Sequence, residues 1–165
     1  FLNNLYINDK SFVFTRLMKD SGLKNRQGHQ LIFLGILLFL LGLIVGLIIP
    51  VLANPRMGLS SHIEGVMNGM FLVLLGLIWN RLNLSATWLK ITFWLAIYGT
   101  FANWLGILTA AVFNAGKMLT VAAKGQEGPP FAEGVVMFSL ISLSVAMLIT
   151  CAAVLTGLGR NIRNE

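Results

Sequence analysis

Within seven residues of an otherwise apolar stretch stand an imidazole, a carboxylate and a carboxamide: His62, Glu64 and Asn68. Polar and ionisable groups at membrane depth are costly and usually mark a site. Neutral imidazole is a standard proximal ligand for haem iron, which makes His62 the candidate metal ligand. Gly65 and Gly69 follow it by three and seven residues, on the same side of a helix, and leave room for a flat cofactor or a close neighbouring helix. Asn68 is the candidate for orienting a substrate, with Asn103 and Tyr98 as further catalytic candidates. Each has a bland counterpart. A lone histidine often just bonds a backbone carbonyl, and buried carboxamides serve as interhelical glue worth roughly 1 kcal/mol. Glu64 has a structural job of its own. Ser61-His62-Ile63-Glu64 fits a capping box, with Ser61 as N-cap and Glu64 at the third helical position.

The other histidine, His29, lies at the opposite end of the first apolar segment. Some 20 helical residues, roughly 30 Å at 1.5 Å each, separate the two levels, so they cannot share one iron. A haem on His62 is then five-coordinate, and an open face suits Lewis-acid catalysis better than electron transfer. No P-loop, paired cysteines, zinc-type cluster or nucleophile triad is present.

The elements that must position these residues follow from charge spacing. The chain is 56% hydrophobic and 11% charged, against roughly 25% charged in soluble domains. Positions 27–55, 65–80, 91–116 and 134–159 hold no Lys, Arg, Asp or Glu. A bilayer core takes about 20 apolar residues per helix, so four spans are expected, at about 27–52, 61–81, 86–114 and 131–158. The fold class is all-α, an integral membrane four-helix bundle over 27–160. Residues 1–26 form an arm or an interfacial helix, and 161–165 a tail. The net charge of +6 does not signal nucleic acid. Lys10, Arg16, Lys19, Lys24, Arg26, Arg81, Lys90, Arg160 and Arg163 cluster at the termini and the second connection, which predicts cytoplasmic termini. Cys151 lies in the fourth stretch and is expected to be buried and inert. A small drug transporter would want a carboxylate at mid-membrane, and none of the charge-free stretches offers one.

Gly28-His29, the loop Asn54-Pro55-Arg56-Met57-Gly58-Leu59-Ser60-Ser61-His62, Glu64-Gly65, Asn68-Gly69 and Tyr98-Gly99-Thr100-Phe101-Ala102-Asn103-Trp104 together resemble the hydroxylaminobenzene mutases, small bacterial membrane isomerases of nitroarene breakdown. The resemblance covers about 25–160. A more distant likeness is to styrene oxide isomerase, through Gly28-His29 and His62 with Asn68-Gly69. That likeness implies a trimer with ferric haem b between subunits, His62 as axial ligand and Asn68 as the substrate-contacting amide. The Asp in that family's third helix has no counterpart here. The implied function is intramolecular hydroxyl transfer from hydroxylaminobenzene to 2-aminophenol in the bacterial inner membrane. The alternatives are an epoxide isomerase of the styrene oxide type and a haem-binding anchor subunit of a respiratory complex.

Overall fold

A computed structural model describes residues 2–163, with side chains from Ser21 to Arg163. The helices in chain order are α1 (Leu2–Ile48), α2 (Pro55–Ile78), α3 (Ala86–Phe113), the short α4 (Thr120–Ala123) and α5 (Pro130–Ile162), with no strand among the described residues. The expectation for residues 1–26 falls mainly on side chains outside those described. Ser21–Val51, Pro55–Arg81, Ala86–Phe113 and Pro130–Ile162 are each long and apolar enough to cross a membrane. Leu47, Phe138, Leu148 and Leu155 are among many large apolar side chains left exposed on them. Apolar surface on that scale is stable only against lipid or another chain. The chain is a multi-pass membrane protein.

The four long helices form a row rather than a closed bundle. α1 runs along α2 and also touches α3, α2 packs on α3 and α3 on α5, while among the described residues α5 makes no close backbone approach to α1 or α2. Glycines explain the tightest junction. The Gly35, Gly42 and Gly46 face of α1 lies antiparallel against α2. A Cβ on Gly35 would stand 2.7 Å from the Gly69 carbonyl oxygen, and one on Gly65 would stand 2.6 Å from the Gly42 Cα. Small residues at a crossing let backbones approach where no hydrophobic drive exists between helices in lipid.

Polar side chains tie the two ends of the row. Near the start of the first span, Trp79 is fully buried and its indole N–H donates to Gln27 (3.2 Å), while Lys24 donates to the Leu82 carbonyl (2.8 Å). Trp79 is thus a core residue as well as the end of a span. At the other end, Asn54 caps α2 and its amide donates to Asn114 (2.8 Å). Asn114 ends α3 in the left-handed region (φ 54°), which asparagine tolerates. Cys151 departs from expectation. It is exposed on α5, on a face that no other described element covers.

Candidate functional site

Pro55 starts α2, six residues before the expected beginning. Asn54 accepts the Met57 N–H (3.2 Å) as N-cap and Pro55 fills the first position, where its missing N–H costs nothing. Ser61 and Glu64 therefore do not form the capping box. Ser61 is buried and its hydroxyl donates to the Trp104 carbonyl of α3 (3.4 Å). Glu64 lies nine residues inside α2, about 14 Å along its axis. It therefore lies within a spanning helix rather than at its end.

Glu64 organises one side of the site. Its Oε2 accepts the Asn103 amide at 2.6 Å and the Asn68 amide at 3.2 Å. Asn68 follows Glu64 by four residues, one turn along α2, and Asn103 reaches across from α3. A carboxylate only accepts, so both amide nitrogens must face it. The two amide oxygens are thereby left as acceptors for a ligand. The Glu64 Oε1 makes no hydrogen bond among the described residues. All three side chains are half-buried.

His62 faces the other way. Its Nδ1 lies 2.8 Å from the Gly42 carbonyl oxygen of α1. A carbonyl cannot donate, so Nδ1 carries the proton, and in the neutral ring Nε2 keeps its lone pair. That is the tautomer of a metal-ligating histidine oriented by a backbone acceptor. The imidazole fits there because residue 46 has no side chain. A Cβ on Gly46 would lie 2.8 Å from Nδ1. His62 and Glu64 are two residues apart, about 200° around a helix, which places them on opposite flanks of α2. The chain brings Glu64, Asn68 and Asn103 together and does not bring His62 to them.

One further expectation, on the glycines, is corrected, and Tyr98 is placed away from the carboxylate cluster. Gly65 and Gly69 do not line an open groove, since α1 occupies the space beside both. Tyr98 is 41% exposed and its hydroxyl pairs with Ser142 of α5 at 2.6 Å. It precedes Asn103 by five residues, about 140° around α3, and stands apart from the carboxylate cluster. His29 lines a groove of about 690 Å³ with Arg26, Phe33 and Trp94, at the other end of the span from His62. Judged on donor chemistry, His62 Nε2 is the group that would hold a haem iron. Among the described residues no group of three or more His, Cys, Asp or Glu could hold a metal ion, and a single axial imidazole does not need one.

The fold and site are those of a four-helix membrane protein with polar side chains held inside its spans, and its class follows from its relatives. Residues 27–159 match the styrene oxide isomerase family, and the chain belongs to it. Among curated proteins it is 53% identical over 131 residues to hydroxylaminobenzene mutase HabB of Ectopseudomonas oleovorans, covering 79% of this chain and 80% of that one. It is 47% identical over 127 residues to hydroxylaminobenzene mutase HabA of the same organism, covering 76% and 94%. No solved structure matches the chain. Membership of an isomerase family displaces the respiratory anchor subunit as an alternative.

Proposed function

We propose that this membrane isomerase converts hydroxylaminobenzene to 2-aminophenol by moving the hydroxyl group from nitrogen to the ortho ring carbon. The observation that carries the proposal is the His62 imidazole, with Nδ1–H held on the Gly42 carbonyl and Nε2 left free. The likeness to two hydroxylaminobenzene mutases supports the choice of substrate. Substrate and product are isomers, so no nicotinamide is needed.

In this proposal His62 would hold haem b through Nε2, with α1 keeping the imidazole in place through Gly42 and Gly46. Ferric haem, when bound, supplies a Lewis acid that weakens the N–O bond. The amide oxygens of Asn68 and Asn103, turned outward by Glu64, accept from the N–H and O–H of the hydroxylamine. Because His62 and these amides lie on opposite flanks of α2, one substrate meets both only when a second copy joins the row. A homo-oligomer, with a trimer favoured by the family resemblance, supplies that neighbour and covers apolar flanks. The apolar helices also exclude water, which would otherwise compete for the ring cation. The distribution of basic residues supports cytoplasmic termini in a bacterial inner membrane.

A second reading, isomerisation of an epoxide of the styrene oxide type, is favoured by the family match. It would use the same ligand and the same developing benzylic or ring cation. The two separate in one assay on the detergent-purified protein without added nicotinamide. Conversion of hydroxylaminobenzene to 2-aminophenol is expected. Turnover of styrene oxide with none of hydroxylaminobenzene would replace the mutase with the epoxide isomerase.

A further inference from the structure

We propose that Glu64 is the proton-transferring group of the reaction, taking the proton from the ortho carbon that has gained oxygen and returning it to nitrogen. This rests on the mutase reading above. A carboxylate about 14 Å inside a spanning helix is costly, and its presence calls for a use. An interhelical tie alone does not need a charge, because a glutamine oxygen would accept the same two amides. The distribution of bonds within the carboxylate is more informative. Asn103 and Asn68 both donate to Oε2, which fixes the group and leaves Oε1 free among the described residues. Glu64 keeps part of its surface open, on a flank of α2 that α5 does not closely approach.

The chemistry requires such a group. When the oxygen leaves nitrogen and bonds to the ortho carbon, that carbon still carries its hydrogen, and the ring is a hydroxylated cyclohexadienimine. To restore aromaticity the C–H bond breaks, its electron pair returns to the ring, and nitrogen gains one proton to become the amine. One proton moves from the ortho carbon to the exocyclic nitrogen, two bonds away, and this tautomerisation oxidises and reduces nothing. Glu64 Oε1 accepts that proton from carbon and gives it to nitrogen, so the carboxylate is regenerated each cycle. Asn68 and Asn103 act here as positioning residues, holding the carboxylate as well as turning their oxygens to the substrate.

The test uses Glu64→Gln, which keeps the acceptor for both amides and removes the base. With unlabelled hydroxylaminobenzene, kcat is expected to fall by roughly 10²-fold or more, the scale of general acid–base catalysis, with KM little changed. With ring-perdeuterated substrate, the isotope effect on kcat should be larger in the variant than in the parent, because C–H cleavage has become slow. Added formate should partly restore Glu64→Ala. Should Glu64→Gln not fold, Glu64→Asp carries the test, since it withdraws the carboxylate by one methylene and must also raise the isotope effect. A Glu64→Gln enzyme that turns over at the parental rate overturns the proposal. So does a slow one with an unchanged isotope effect. A parent that makes no 2-aminophenol sinks the mutase reading and this inference with it, whereas an active parent with an indifferent variant sinks the inference alone.

Discussion

His62→Ala is expected to remove both the Soret absorption of the purified protein and its mutase turnover. The chain offers a haem one prepared donor, the Nε2 left free when Nδ1–H binds the Gly42 carbonyl. His29 cannot substitute. It precedes Gly42 by 13 residues, which places it about 20 Å away along α1. Turnover should fall by roughly 10³-fold, the scale on which loss of one electrostatic stabiliser of a transition state acts. Folding should be spared, since the side chain is only half-buried and alanine suits a helix. A Soret band of parental intensity in His62→Ala would move the ligand elsewhere.

Gly46→Ala makes a sharper test, because it changes no group that could touch substrate. The added Cβ would stand 2.8 Å from Nδ1 and 3.1 Å from Cε1 of His62, closer than such contacts tolerate, so the ring must move. Displacement of about 1 Å at a catalytic centre can cost 10²-fold in rate, and a loss on that scale is expected with a shifted or weakened Soret band. Stability should not follow activity down. Alanine gains up to about 1 kcal/mol over glycine in helix propensity, which offsets the crowding. Equal losses in thermal midpoint and turnover, measured side by side, would make Gly46 a packing position only.

The number of spans was legible because charge cannot enter lipid cheaply, and Arg26 with Arg56, Glu64 with Arg81 and Lys90 with Lys117 bracket the first three apolar stretches. His62, Asn68 and Asn103 stood out by the same principle, as polar exceptions in apolar surroundings. The start of α2 was misread because Ser61-x-x-Glu64 satisfies the capping pattern equally well inside a helix. Asn54-Pro55 carries the true signal: a capping side chain followed by proline at the first position. That error hid Glu64, by making it a terminal residue with a role already assigned. The Glu64–Asn103 bond joins residues 39 apart, and no local pattern reports such a pairing. The spacing of Gly65 and Gly69 correctly marked a close approach but could not say of what. The structure shows that α1 fills the space where a flat ligand was also conceivable. That the four helices form a row depends on which faces meet, and nearly uniform apolarity around α3 and α5 carries little record of it.

The central claim is that the hydroxyl oxygen lost from nitrogen is the one that appears on the ring. It is tested by running the reaction in ¹⁸O-labelled water and weighing the 2-aminophenol by mass spectrometry. Transfer within an apolar site that excludes water predicts 2-aminophenol without ¹⁸O in its hydroxyl group. Product carrying ¹⁸O from the solvent would mean that water attacks the ring, and would contradict the account.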